Sequence, residues 1–184
     1  MKSHSYLLFF SFLCFSNWAN GQSAESPAAV ESVYGAQIGF FGVWGYTELP
    51  LGRSVVARLE AGLDAGYRRS NDMLTGAPVI AAGPRWYYNL DKRAAKEKRI
   101  AGNAANFLSL PIAYRPGWFT LSNGDDAYTD KEITLLPTWG IRRNLGKHLN
   151  FEVGVGIGYR VRWLDFGVKR FGDVAAWVPL RIGF

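Results

Sequence analysis

The last eleven residues, Val174-Ala-Ala-Trp-Val-Pro-Leu-Arg-Ile-Gly-Phe184, decide how the rest of the chain is read. Counting back from the end, every second residue is apolar: Phe184, Ile182, Leu180, Val178, Ala176 and Val174. Gly183, Arg181, Pro179, Trp177 and Ala175 alternate with them. A period of two sends successive side chains to opposite faces of a β-strand, so the two faces meet different surroundings.

The same alternation recurs upstream. Over 54–68, Val55, Ala57, Leu59, Ala61, Leu63, Ala65 and Tyr67 oppose Ser54, Val56, Arg58, Glu60, Gly62, Asp64, Gly66 and Arg68. Over 149–163, Leu149, Phe151, Val153, Val155, Ile157, Tyr159, Val161 and Trp163 oppose Asn150, Glu152, Gly154, Gly156, Gly158, Arg160 and Arg162. Weaker versions cover 34–46, 79–88, 107–118 and 132–142. Most of these lengths reach the ~9–11 residues that a tilted strand needs to cross hydrocarbon.

Soluble sandwiches and lipocalin-like barrels alternate too, so the polar face has to choose between them. A solvent-facing surface carries long charged side chains, whereas this face carries glycine at 154, 156 and 158. Turned inward, those glycines leave room for opposing arginines and tryptophans. Glu60, Asp64, Glu132 and Glu152 then pair in the lumen with Arg58, Arg85, Arg115, Arg142, Arg160 and Arg181. A charged interior with an apolar exterior is the arrangement of transmembrane barrels. The expected fold class is therefore all-β: an antiparallel transmembrane β-barrel, of eight strands by the even-number rule.

Aromatic placement gives an independent reading, because Tyr and Trp concentrate at bilayer interfaces. Trp44 and Tyr46, Trp86 and Tyr88, Trp139 and Phe184 are expected on one rim; Tyr67, Trp118, Tyr159 and Trp163 (with Tyr114) fall on the other. Two aromatic girdles result.

The N-terminus predicts export. Met1-Lys2 gives a positive start, Tyr6 to Phe15 (YLLFFSFLCF) a ten-residue apolar core, and Ala19-Asn20-Gly21 a small-residue cleavage site before Gln22. Such a core is too short to span a bilayer as a helix, so residues 1–21 are read as a signal peptide cleaved after Gly21. Leu13 precedes Cys14 where a lipidation signal needs a small residue, which argues against a lipid anchor. Cleavage removes the single cysteine, leaving no disulfide or thiolate metal site. Roughly 160 residues remain, enough for one domain. Loss of Lys2 leaves 20 basic residues against 15 acidic ones. The bases are scattered and the chain is exported, so no nucleic-acid partner is expected.

Two resemblances sharpen this picture. A last strand ending on Phe184 resembles the C-terminal signal by which bacterial outer-membrane barrels engage the barrel assembly machinery. The stretch Gly83-Pro-Arg-Trp-Tyr-Tyr-Asn-Leu90, with Asn103-Ala-Ala-Asn-Phe-Leu-Ser-Leu110 after a basic turn, is similar to a family of small porin-like outer-membrane β-barrel proteins. Pro137-Thr-Trp-Gly-Ile-Arg-Arg-Asn-Leu-Gly-Lys-His148 and Phe151-Glu-Val-Gly-Val-Gly-Ile-Gly-Tyr159 resemble the same family, although Pro111 departs from its commoner pattern. The family is largely uncharacterised and has no agreed catalytic residues, so the resemblance implies fold, outer-membrane location and membrane lipids as surroundings, and no activity.

Three motifs have competing readings. The glycines from Gly154 recur every second residue within a strand, unlike a phosphate loop, which turns from strand into helix. The basic run Asp91-Lys-Arg-Ala-Ala-Lys-Glu-Lys-Arg99 could meet anionic lipid or cell-wall polymer, but reads first as a solvated connection. His148, the one histidine after cleavage, lies in a turn with Asn144, Asn150 and Glu152 nearby and no neighbouring serine. A lipid-modifying Ser/His barrel enzyme is thus a distant reading, and no catalytic, metal or cofactor residue is assigned.

The chain then divides into residues 1–21, an N-terminal segment 22–32, and a barrel domain 33–184. Only seven strands are evident. Residues 22–32 and 166–171 are both candidates for the eighth, and prolines 84, 111, 137 and 179 are expected at bulges or rims. With Phe184 on the periplasmic rim, the external loops are 69–77, 120–131 (carrying Asn123-Gly-Asp-Asp126) and 164–173. The expected role is structural or surface-binding, with a charged and mostly blocked lumen. The runner-up is a narrow porin-like channel for small solutes.

Overall fold

Wherever polar and apolar residues alternate, the chain is extended. The computed structural model describes residues 27–68, 73–123, 129–164 and 169–184; the expected signal peptide and parts of the loops expected to be external lie outside them. In chain order the strands are β1 (Val33–Gly39), β2 (Gly42–Pro50), β3 (Val55–Arg68), β4 (Met73–Trp86), β5 (Asn106–Ser109) and β6 (Ile112–Arg115). There follow β7 (Leu121–Ser122), β8 (Lys131–Leu135), β9 (Thr138–Leu145), β10 (Leu149–Leu164), β11 (Lys169–Trp177) and β12 (Leu180–Gly183).

Together these segments make a closed, eight-stranded antiparallel β-barrel. The fifth stave is built from β5, β6 and β7, the sixth from β8 and β9, and the eighth from β11 and β12. Closure joins β12 to β1 with Ile38 opposite Ile182, and Ala36 and Phe184 exchange both backbone hydrogen bonds at 3.1 Å. Closing the ring removes every sheet edge.

The eighth strand is found in neither expected place. The single strand read over 34–46 is a hairpin: β1 and β2 pair from Val33–Glu48 to Gly39–Gly42, turning through Phe40 and Phe41. Gly42 follows the turn at φ +138°, a conformation that strains any residue with a Cβ. Alternation continues across so short a turn, which is why two strands look like one. Residues 27–32 form no strand, and 169–171 begin β11. With the count even, Tyr34 shares the Phe184 rim; it does not begin at the opposite one. Strands also run further than expected, since β4 starts at Met73 and β11 at Lys169.

The two rims differ. On the Phe184 side, a long connection carries α1 (Leu90–Ala94) and a 3-10 turn (Ala101–Asn103). It packs back on the barrel through Tyr87, Leu90, Ala105 and Phe107, with Val56 and with Val30 of the N-terminal segment. Val30 is held there by its N–H, which donates to the Arg53 carbonyl at 2.9 Å. This end of the barrel is therefore capped by its own chain.

Candidate functional site

Among the described residues, the strands bring charged side chains together in the interior, and they do so in two layers. Near the capped end, Glu48 accepts from Arg58 at 2.7 Å, Arg142 at 3.1 Å, the Tyr87 hydroxyl at 2.9 Å and Asn103 at 2.9 Å. Glu152 takes a two-pronged contact from Arg85 at 2.9 and 3.0 Å. Glu60 accepts from Arg58 at 2.5 Å and Arg181 at 3.0 Å. Gln37 bridges the set, accepting from Arg58 at 2.8 Å and donating to Glu152 at 3.4 Å. Arg142, Glu48 and Gln37 are fully buried. Tyr87 lies beyond the end of β4, and burial pushes its hydroxyl above the ordinary tyrosine range.

Four guanidiniums here face three carboxylates. Aromatic faces offset the surplus: Arg58 and Arg142 lie 4.1 and 4.9 Å from the Tyr46 ring centre, Arg85 3.8 Å from Phe107, and Arg181 4.0 Å from Trp44. Stacking also explains how Arg85 Nε and Arg181 Nε can be buried with no acceptor among the described residues. Phe107 reaches this position because Gly140, opposite it on β9, has no side chain; a Cβ there would meet the ring.

The second layer lies toward the other rim. Arg115 binds Asp64 and Glu132, while Arg160 pairs with Asp173 at 2.6 Å and approaches Glu132 at 3.7 Å. Arg162 joins Asp173 at 3.1 Å. Arg115, Arg160, Arg162 and Asp173 remain about a quarter exposed, unlike the buried set below. A cavity of about 160 Å³ separates the layers, with Trp44, Val79, Ala113, Leu136 and Trp177 in its wall.

All ten residues expected in the lumen network take part in it: Arg58, Glu60, Asp64, Arg85, Arg115, Glu132, Arg142, Glu152, Arg160 and Arg181. Sequence reading missed Glu48, Gln37, Tyr87, Asn103 and Asp173; it put Arg162 on the polar face without naming it in the network. Glu48 and Gln37 were legible only once β1 and β2 were separated, which puts both on the inner face. Asn103 comes from the connection and carries no strand signal.

Two expected girdle residues are corrected. Trp44 and Tyr46 are buried in the lumen, Trp44 donating to Asp64 at 2.8 Å, because the hairpin reverses the face assigned to them. Trp86, Tyr88, Trp139 and Phe184 are exposed on the outer wall toward the capped rim, where Trp139 donates to the Tyr88 hydroxyl at 2.8 Å. Trp118 and Tyr159 are exposed toward the other rim, and Trp163 is half-buried there. The Tyr67 side chain lies outside the described ones.

The basic run 91–99 folds as α1 and the turn after it, on the capped rim. Arg99 ties it to the β9–β10 turn by donating to the Gly146 and Lys147 carbonyls, and His148 in that turn is exposed. Asp125 and Asp126 lie outside the described residues.

Fold and interior together define a closed eight-stranded antiparallel barrel with a charge-paired lumen. Comparison with protein-family models, with curated proteins and with solved structures finds no match.

Proposed function

We propose that this chain is a small outer-membrane β-barrel protein with a structural or surface-binding role and a charged, mostly blocked lumen. One observation carries the reading: polarity is inverted. Arg142, Glu48 and Glu152 are buried at the centre, while Ile157, Val174, Val155 and Ile182 stand more than half exposed on the outer wall. Water would leave that apolar wall unsatisfied; hydrocarbon suits it. The exposed aromatics near both rims and the signal-like N-terminus support the same reading.

Blockage is inferred from the interior. Eight strands enclose a space that side chains can fill, and here ion pairs fill it at two levels while the connection 87–105 covers one end. No catalytic role is assigned to any residue, and the partners proposed are membrane lipids and the assembly machinery that reads Phe184.

Heat-modifiable gel migration tests the barrel: the unboiled protein in detergent is expected to run ahead of the boiled one. Planar-bilayer recording tests the lumen, and no steady conductance is expected. Steady openings abolished by Arg160→Ala would replace the blocked barrel with a narrow pore.

A further inference from the structure

Outside the lumen, near the capped rim, two arginines lie together and meet no carboxylate among the described residues. Arg143 is half-buried on the outer face of β9, next in sequence to the inward-facing Arg142, and Arg93 is half-buried in α1. Asn106, which opens β5, brings them together. Its N–H donates to the Asn89 side chain at 2.7 Å, and the Asn89 carbonyl accepts from the Arg93 N–H at 3.1 Å. The Asn106 side-chain oxygen accepts from Arg143 at 2.5 Å. The two guanidiniums are near enough to repel one another. Backbone carbonyls occupy only part of them: Arg93 donates to Arg99 at 2.9 Å, and Arg143 to Arg142 at 2.7 Å. A guanidinium has five N–H donors, so most of theirs remain.

Tyr88 adds a third donor. Its hydroxyl oxygen accepts from Trp139 at 2.8 Å and from the Asn106 amide at 3.2 Å. Both lone pairs are then in use, and its own proton meets no acceptor among the described residues. Next to these polar groups the outer wall carries an apolar groove. Leu108 stands between Trp86 and Trp139 in one row across three staves, and Pro84, Leu110 and Pro137 continue the groove away from the rim. Unmatched positive charge at the rim thus adjoins an apolar channel along the wall.

We propose that this patch of the outer wall binds one anionic phospholipid of the surrounding membrane. The phosphate lies against Arg93, Arg143 and the Tyr88 hydroxyl, and one acyl chain lies along the groove of Trp86, Leu108 and Trp139. Planar guanidiniums suit a phosphate because two parallel N–H bonds match two of its oxygens. Trp86, Tyr88 and Trp139 have the amphipathic rings that sit at headgroup depth. The surplus of two positive charges favours an anionic headgroup over a zwitterionic one. The lipid stays outside the wall throughout, and the charge-paired lumen takes no part. This site rests on the membrane-barrel reading above.

The test places the whole barrel in phosphatidylcholine vesicles and follows tryptophan fluorescence as dibrominated phosphatidylglycerol replaces part of the lipid. Bromine quenches only the tryptophans that its lipid touches, and dibrominated phosphatidylcholine gives the unselective baseline. Phosphatidylglycerol is expected to quench at a roughly tenfold lower mole fraction. Arg93→Gln with Arg143→Gln should bring the two lipids level. Lys96→Gln with Lys98→Gln removes as much charge from exposed positions of the same connection and should leave most of the preference. Trp86→Phe removes a reporter from the groove and should lower the selective part of the quenching. Each variant is checked by its heat-dependent gel shift; should the arginine pair fail to fold, Arg93→Gln alone should cut the preference about threefold. Equal quenching by the two lipids, undiminished preference without the arginines, or an equal loss in the lysine variant would overturn the site. So would selective quenching unchanged by Trp86→Phe, or its full relief by millimolar inorganic phosphate. Quenching by neither lipid, with no gel shift in the unaltered protein, would instead defeat the membrane-barrel reading.

Discussion

Glu48 accepts from three arginines, a tyrosine and an asparagine while fully buried. It connects β2 to β3, β4, β9 and the capping connection. Removing one partner of a buried ion pair leaves the others desolvated and uncompensated, which costs about 3–5 kcal/mol. Glu48→Gln is therefore expected to lower the stability of the folded barrel by that order, measured as urea unfolding from vesicles. Arg162→Gln, at the half-open layer, should cost far less, because water can replace a partner there. Equal losses would show that the two layers do not differ in burial as described. The residues of this network were largely readable beforehand, because alternation alone puts Arg58, Glu60 and Asp64 on one face. Glu48 was not, since its face depends on where a turn falls.

At the scale of elements, the β1–β2 hairpin makes the strand count even and sets the rim on which Phe184 closes the ring. Its turn needs Gly42: a Cβ there meets the Leu63 carbonyl, and the positive φ adds about 1–3 kcal/mol of strain. Gly42→Ala is expected to reduce the folded, fast-migrating fraction, whereas Gly52→Ala, where a Cβ meets nothing within 4 Å, should not. The capping connection is a second element the sequence showed only in part. Its charges were plain, and residues 91–99 lie mostly exposed as the solvated connection expected, but Tyr87 at 0% exposure and Leu90 at 1% anchor that connection to the end of the barrel. Apolar residues spaced irregularly through a polar loop carry no period, so only the packed structure identifies them as an anchor.

For the whole molecule, the inverted polarity makes a sign-specific prediction. Ile157 is 66% exposed on the outer wall, on a strand whose inner face holds Gly156 and Gly158. Ile157→Arg should cost about 2–4 kcal/mol in a bilayer, read as a loss of folding yield in vesicles. A soluble barrel would tolerate an arginine at so exposed a place with little change. Folding yield that does not fall would therefore count against the membrane wall.

The sequence by itself determined the barrel class and the face on which ten charged residues of its interior lie. Alternation is local, and a period of two with arginine and glutamate on one face and valine, leucine and isoleucine on the other allows few solutions. Only the tertiary structure decided the path of the first hairpin, the inward turn of Trp44 and Tyr46, and the capping of one end. The hairpin and the inward turn of Trp44 and Tyr46 follow from where a local turn falls, while the buried network follows from register between strands far apart in the chain, where Gln37 meets Glu152. Register is set by closure of the ring, which no single segment contains.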